Sequence, residues 1–166
     1  MNVNHVLVER LAGELTRRGS RVTLAESCTG GWIAKNLTDF SGSSEWFEYG
    51  FVTYGNNAKI DMLNIEPALL DSFGAVSREI AEAMAAGALQ RSGADLSIAV
   101  TGIAGPAGGS AEKPVGTVWI AWLAKGKQVH SECHYFDGDR DTIRRQTVTT
   151  ALQHALTYLE KSDVER

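Results

Sequence analysis

Apolar positions along this chain recur with two spacings, and each spacing predicts its own kind of element. Recurrence every three or four residues is the pattern of a helix with one buried face. It predicts helices over 3–15, 32–40, 58–63, 67–73, 78–91 and 139–161. Short apolar or β-branched runs between polar residues indicate strands instead. They predict strands over 22–25, 46–54, 96–101, 115–123 and 128–136.

The residues at the ends of these segments support the helix assignments. Gly19 closes the first helix, as glycine commonly does after a last helical turn. Pro67 stands at a first-turn position, where its missing N–H costs nothing. Ser77 is expected to cap the next helix, with Glu79 and Glu82 in its acidic first turns.

The order of the elements predicts the fold class. Helices alternate with strands over most of the length, and a tight turn at 125–127 joins the last two strands into a hairpin. This order predicts an α/β fold, in three α/β/α layers, with a mixed, mostly parallel sheet of about five strands. A chain of 166 residues has the size of one domain, so we expect residues 1–166 to form a single domain.

Composition excludes some classes of function. The net charge of −4 and the pI of about 5.6 argue against nonspecific nucleic-acid binding, which needs a basic surface. No apolar run is long enough to span a membrane, and the N-terminus lacks the apolar core of a signal peptide. Cys28 and Cys133 are far apart in sequence, as expected of free thiols. We therefore expect a cytoplasmic protein without a nucleic-acid or membrane partner.

Three segments with reactive or anion-binding residues directly follow predicted strands. They are 27–31, 54–59 and 101–109. In open α/β sheets, ligands bind beyond the carboxyl ends of the strands. We therefore expect these three segments to meet in one site.

The first of these segments, Ser27-Cys28-Thr29-Gly30-Gly31, leads into a predicted helix. A strand-to-helix turn holds a side chain beside unpaired backbone N–H groups, which together with the helix dipole favour negative charge. Ser27 is therefore a candidate nucleophile, or an ordinary helix cap beside glycines that only permit the turn. Cys28 is either a rival nucleophile, since a helix N-terminus lowers a thiol pKa, or a small buried residue.

A serine nucleophile needs a base, and no histidine falls at the three strand ends. Lys59 lies a few residues beyond the second strand. A lysine desolvated among apolar neighbours has a lowered pKa and can take a proton from serine. Tyr54, at the strand end, is placed to orient or relay that proton. The alternative is that Lys59 is a solvated helix residue and Tyr54 a half-buried aromatic.

The third segment contains a glycine-rich loop, 102–109, whose backbone can approach a ligand closely. It matches neither a P-loop nor a dinucleotide-binding fingerprint. Near the start of the last helix lie Arg140, Arg144 and Arg145, the first two on one face at i, i+4 spacing. These arginines form either a phosphate clamp or a solvated face. In the second case their partners are Asp137, Asp139 and Asp141.

One group of residues has some resemblance to a metal site. His130, Cys133 and His134 are close in sequence. Strand alternation directs His130 and Cys133 to opposite faces, however, so they are not expected to share an ion. The sequence therefore predicts no metal centre.

Several ordered motifs resemble those of one known family. They are Ala-Glu-Ser-Cys-Thr-Gly-Gly at 25–31, Gly-Phe-Val-Thr-Tyr at 50–54, Asn-Ala-Lys at 57–59, Gly-Ala-Val-Ser at 74–77, Thr-Gly-Ile-Ala-Gly-Pro at 101–106, Gly-Gly at 108–109, Lys-Pro-Val-Gly-Thr-Val at 113–118, Gly-Asp-Arg at 138–140 and Arg-Arg-Gln at 144–146. Over essentially its whole length, the chain resembles the C-terminal domain of the CinA (competence/damage-inducible) family. Within that family it looks like the stand-alone nicotinamide-nucleotide amidases.

The resemblance implies a five-stranded mixed sheet with one antiparallel strand. It also implies hydrolysis of the carboxamide of nicotinamide mononucleotide to nicotinate mononucleotide and ammonia, without a metal or organic cofactor. The family's catalytic serine, tyrosine and lysine correspond to Ser27, Tyr54 and Lys59. The other residues expected to contact the substrate are Cys28, Thr29, Gly30, Gly31, Thr101, Gly102, Gly105, Arg140, Arg144 and Arg145.

The expected partner is this small-molecule substrate, and we expect a homo-oligomer, in the simplest case a dimer. The alternative function is a noncatalytic regulatory or binding module of the same family. The complete set of Ser27, Tyr54 and Lys59 argues against that alternative.

Overall fold

A computed structural model describes residues 2–164 of the chain. Its helices are α1 (Val3–Arg18), α2 (Trp32–Thr38), α3 (Asn56–Leu63), α4 (Pro67–Phe73), α5 (Arg78–Ser92) and α6 (Arg140–Val164). Its strands are β1 (Val22–Glu26), β2 (Phe47–Val52), β3 (Leu96–Gly102), β4 (Thr117–Ala124) and β5 (His130–Tyr135). These are the predicted elements with ends shifted by a few residues, and a short 3₁₀ turn, Ser43–Glu45, precedes β2.

The five strands form one sheet in the order β2-β1-β3-β4-β5. β1 pairs in parallel with both β2 and β3, whereas β4 pairs antiparallel with β3 and β5. Four strands therefore point in one direction and β4 in the other. The predicted mixed, mostly parallel sheet with one antiparallel strand is confirmed.

Helices cover both faces of this sheet, which confirms the three-layer α/β/α class. On one face, α1, α2 and α6 contribute side chains to a cluster that includes Leu11, Ile33 and Leu152. On the other face, α3, α4 and α5 contribute to a second cluster around Leu63 and Met84. Among residues 2–164, no helix combines the length and the apolar character needed to cross a membrane.

The helix-end residues act as predicted. Gly19 ends α1 in the left-handed conformation, with φ of 62°. The Ser77 hydroxyl accepts a hydrogen bond from the Ile80 N–H at 3.3 Å at the start of α5. Pro67 is the first residue of α4. A cap of the serine type stabilises a helix by about 1 kcal/mol, so these residues fix where the helices end more than they fix the fold.

Candidate active site

The turn between β1 and α2 places Ser27 at the carboxyl edge of the sheet. The Ser27 N–H donates to the Val100 carbonyl at 3.1 Å, which extends the β1–β3 pairing by one residue. The chain then reverses through Gly30 and Gly31, whose φ angles of 59° and 100° lie in the left-handed region that favours glycine. Ser27 is buried but lines a cavity at this edge.

Lys59 reaches the same place from the first turn of α3. Its side chain is 1% exposed, and its Nζ lies 3.0 Å from the Ser27 Oγ. The Thr53 and Tyr54 carbonyls lie 2.8 and 3.1 Å from the same nitrogen. Burial disfavours the ammonium form and lowers the pKa of Lys59. Lys59 is therefore a buried amine in hydrogen-bond contact with a serine, and not the solvated residue of the alternative interpretation.

Tyr54 contacts this pair through its backbone. Its carbonyl lies 3.3 Å from the Ser27 Oγ and 3.1 Å from the Lys59 Nζ. Its side chain is exposed, and its phenol oxygen accepts a hydrogen bond from Arg140 at 3.0 Å. The phenol makes no hydrogen bond to Ser27 or Lys59 among the described residues, because the backbone at the end of β2 turns the ring outward.

Glu26, which the sequence analysis did not single out, holds the serine turn in place. Its carboxylate is buried and accepts hydrogen bonds from the Thr29 hydroxyl at 2.7 Å, the Ile33 N–H at 2.8 Å and the Ala34 N–H at 3.0 Å. A carboxylate at this position satisfies the helix N-terminus and matches its dipole. The sequence signal that could have indicated this role is an acidic residue shortly before a predicted helix.

Because Glu26 occupies the N-terminus of α2, this helix end is not free for a substrate anion. The Gly30 N–H is also taken, by the Ser27 carbonyl at 3.0 Å. Thr29, Gly30 and Gly31 do not line the cavity. They shape the turn beside the cavity, and the expectation that they contact the substrate stays a prediction.

Cys28 is 6% exposed and packs in the apolar cluster under α1, α2 and α6. Burial raises the pKa of its thiol to about 12. The thiolate is the nucleophilic form of cysteine. The geometry therefore favours the interpretation of Cys28 as a small buried residue over that of a rival nucleophile.

The cavity at this edge has a volume of about 290 Å³. Four loops, the end of β3 and two helices, α3 and α6, form its wall, so the predicted convergence of the three strand ends is confirmed. The predicted site residues in the wall are Ser27, Cys28, Tyr54, Lys59, Thr101, Gly102, Gly105 and Arg140. Other members of the predicted segments also line it, namely Asn56, Ile103, Ala104, Ala107 and Gly108. Ala75 and Val76 lie outside those segments and were not predicted.

The glycine-rich loop after β3 forms one side of the cavity. The Thr101 hydroxyl donates to the Ala75 carbonyl at 2.8 Å, which ties the loop before α5 to the end of β3. A Cβ at Gly102 would lie 2.6 Å from a methyl of Val118 and 2.9 Å from the Thr117 carbonyl. Only glycine allows β4 to approach this closely.

The three arginines of α6 have different surroundings. Arg140 lines the cavity and donates to the Gly105 carbonyl at 2.8 Å as well as to the Tyr54 phenol. Arg144 lies on the same helix face, as predicted, but it donates to the carbonyls of Cys28 and Thr29 at 3.0 and 3.1 Å. It therefore braces the serine turn and does not line the cavity.

Arg145 lies outside the cavity, in an exposed ion pair with Asp141 at 2.5 Å. For this residue the solvated-face interpretation is the one that the geometry favours. Of the three arginines in the predicted clamp, Arg140 is the one that lines the cavity, because α6 turns the other two guanidinium groups toward carbonyls and solvent.

Charge at the cavity differs from that of the whole chain. The described lining contains two basic side chains, Lys59 and Arg140, and no carboxylate, although the chain carries a net charge of −4. A cavity with this lining attracts an anionic ligand. The guanidinium of Arg140 is well suited to a phosphate or carboxylate.

The fold and the site together define an α/β protein with a buried serine–lysine pair at the carboxyl edge of its parallel strands. The chain belongs to the CinA C-terminal domain family, whose sequence model matches residues 4–159. The resemblance seen in the sequence motifs is therefore confirmed.

Named relatives share about half of their residues with this chain. It is 52% identical over 149 residues to the nicotinamide-nucleotide amidohydrolase PncC of Escherichia coli K12, covering 89% of each chain. It is 53% identical over 150 residues to the PncC of Pseudomonas putida, covering 90% of this chain and 93% of that one. The crystal structure of competence/damage inducible protein CihA from Agrobacterium tumefaciens superposes with a TM-score of 0.92, at 49% identity, over 96% of this chain and 97% of that one.

Proposed function

We propose that this chain is a nicotinamide-nucleotide amidohydrolase that converts nicotinamide mononucleotide into nicotinate mononucleotide and ammonia. The names and the high identity of its relatives support this activity. The observation that carries the mechanism is the buried contact of 3.0 Å between the Lys59 Nζ and the Ser27 Oγ in the wall of the cavity. In this proposal Ser27 is the nucleophile and Lys59 its base.

The contacts of Lys59 suit a neutral amine. A neutral lysine has two N–H donors and one lone pair. The carbonyls of Thr53 and Tyr54 accept the two N–H groups, which leaves the lone pair for the Ser27 hydroxyl. After proton transfer, the ammonium has three donors for the same three oxygens. Both protonation states are therefore fully hydrogen-bonded, as a group that gains and loses a proton in each turnover requires.

The reaction then follows the pattern of acyl transfer. Lys59 takes the hydroxyl proton as the Ser27 Oγ bonds to the carboxamide carbon, and the carbonyl oxygen becomes an oxyanion. The ammonium returns the proton to the amide nitrogen, and the C–N bond breaks. Ammonia departs, and the acyl group remains on Ser27 as an ester. Lys59 next deprotonates a water that attacks the ester. Nicotinate mononucleotide leaves, and Ser27 recovers its proton.

The oxyanion needs a donor close to the nucleophile. The N–H of Cys28 follows Ser27 directly, on the cavity wall, and donates to no backbone carbonyl within residues 2–164. We assign it to the oxyanion, since a backbone N–H in this position requires no reorganisation during the reaction.

Arg140 is the proposed ligand of the substrate phosphate. A guanidinium has five N–H donors, and Arg140 uses two of its nitrogens on Gly105 and Tyr54. The Arg140→Ala variant should lose about 10- to 100-fold in kcat/KM on nicotinamide mononucleotide, the range of a charge-assisted hydrogen bond. Steady-state kinetics should give a much smaller loss on nicotinamide riboside, which lacks the phosphate.

The matched control for that experiment is Arg145→Ala, which removes a guanidinium of the same helix that is paired with Asp141 outside the cavity. It should leave both substrates within about twofold of the unmodified chain, since exposed ion pairs contribute little. Equal losses on both substrates in Arg140→Ala would remove Arg140 from phosphate binding.

A direct ammonia-release assay tests the activity itself. The purified chain should release one ammonia for each nicotinate mononucleotide formed, with no added metal or organic cofactor. The competing assignment is a noncatalytic binding module, which would bind nicotinamide mononucleotide in calorimetry and release no ammonia.

A further inference from the structure

A second cluster of reactive side chains lies at the β5 edge of the sheet, and none of its members lines the cavity that holds Ser27. His130, Glu132 and His134 alternate along β5, so they share one face of the strand. They lie in register with Trp122, Ile120 and Val118 of β4, respectively. α6 covers this face and contributes His154.

One carboxylate of this cluster contacts three imidazoles. The Glu132 Oε2 lies 3.1 Å from the His134 Nε2 and 2.8 Å from the His154 Nδ1. The Glu132 Oε1 lies 2.9 Å from the His130 Nε2. One ligand atom each from Glu132, His134 and His154 lies within 4.8 Å of the other two. One imidazole–carboxylate hydrogen bond would be enough to join β5 to α6. Here three imidazoles contact the same carboxylate.

Aromatic packing fixes the directions of these rings. His134 stacks on Phe136 with ring centroids 5.2 Å apart and planes 5° apart. His130 and His154 both pack against the buried Trp122, with ring centroids at 5.7 and 5.4 Å. The imidazoles are thus held by packing, which is what a preorganised ligand set requires.

We propose that Glu132, His134 and His154 bind a divalent transition-metal ion, and that zinc is the ion their donors favour. Two imidazole nitrogens and one carboxylate oxygen are a ligand set that zinc accepts, with a fourth position left open. His130 contacts the other oxygen of Glu132 and is placed to orient this carboxylate as a positioning residue.

The open position would face a groove of about 770 Å³. Glu132 and His154 both line it, together with Lys127, Tyr158 and Lys161. Water or a small anion drawn by the two lysines completes the coordination. The ion joins the edge strand to the last helix, so its effect is on the stability of this corner of the fold and not on the amide chemistry.

Calorimetric titration with zinc chloride tests the proposal on the untagged chain after treatment with a chelator and dialysis. The chain should bind one zinc, and thermal unfolding should shift upward when zinc is present, because an ion bound by the folded state stabilises it. His134→Gln and His154→Gln should each weaken binding by at least about tenfold and abolish the shift, and His130→Gln should weaken binding by roughly tenfold.

Two variants serve as matched controls. Cys133→Ser removes the neighbouring thiol, which strand alternation directs to the opposite face. His5→Gln removes an imidazole that stacks on Phe40. Both should bind zinc as the unmodified chain does. If a histidine variant does not fold, Glu132→Gln replaces it. An unmodified chain without zinc binding, or folded His134→Gln and His154→Gln variants that bind as tightly as it does, would overturn the proposal.

Discussion

Replacement of Ser27 by alanine should reduce kcat/KM on nicotinamide mononucleotide by about four to six orders of magnitude, the loss seen when a nucleophile is removed from a serine hydrolase. The variant lacks the oxygen that attacks the carboxamide, and Lys59 then has no hydroxyl to deprotonate. Substrate binding, measured by calorimetry, should change little, since the rest of the cavity wall is intact. Ammonia release under single-turnover conditions measures the loss.

Two controls separate this effect from general damage. Ser72→Ala removes an exposed hydroxyl on α4 and should leave kcat/KM unchanged. Cys28→Ser keeps a small side chain beside the nucleophile, and its effect should stay within about tenfold, because a buried polar substitution perturbs packing without removing the attacking group. Near-normal turnover in Ser27→Ala would exclude Ser27 as the nucleophile.

The second large effect concerns Lys59 and the pH dependence of the reaction. Only the neutral amine accepts the proton of Ser27, so activity should fall as pH falls through the pKa of Lys59. Burial lowers this pKa, which places the acid limb of the kcat/KM profile below the ordinary range of a lysine. Lys59→Met should lose at least about 10³-fold and should also lose this acid limb.

Lys59→Arg sharpens the same test, because an arginine keeps the positive charge and does not deprotonate in proteins. It should be as inactive as Lys59→Met at every pH. Lys125→Met, in the exposed turn between β4 and β5, should keep the rate and the pH profile of the unmodified chain. An unchanged acid limb in folded Lys59→Met would assign that titration to another group.

Much of the fold was predictable because the buried faces of helices and strands require apolar residues at regular spacings in the sequence. The residues of β1 and nearly all of β3 are buried, and most positions in both strands are apolar. Once the strands and their order along the chain were assigned, the convergence of Ser27 and Lys59 followed from the rule that ligands bind at the carboxyl ends of parallel strands.

The contacts within the site were harder to predict, because they depend on backbone groups and on where a helix end points. The sequence presents Tyr54 as a phenol, yet its carbonyl is the group that contacts Ser27 and Lys59. Helical spacing placed Arg144 on the correct face of α6 but gave no sign that its partners are the carbonyls of the serine turn.

The burial of Glu26 was also missed. Glu26 ends a strand and is of a residue type that usually lies at the surface. Its role as acceptor for the N–H groups of α2 becomes visible only in the folded structure. The alternation of His130, Glu132 and His134 was visible in the sequence. The fourth residue of the cluster, His154, lies in α6, 22 residues after Glu132, and strand periodicity does not indicate it.

The most direct test of the central claim is the mass of the chain quenched in acid during turnover of nicotinamide mononucleotide. If Ser27 attacks the carboxamide, peptide mass spectrometry should locate the acyl group of nicotinate mononucleotide on Ser27, and Ser27→Ala should carry none. An adduct on Cys28, or product formation with no adduct at any quench time, would contradict the account.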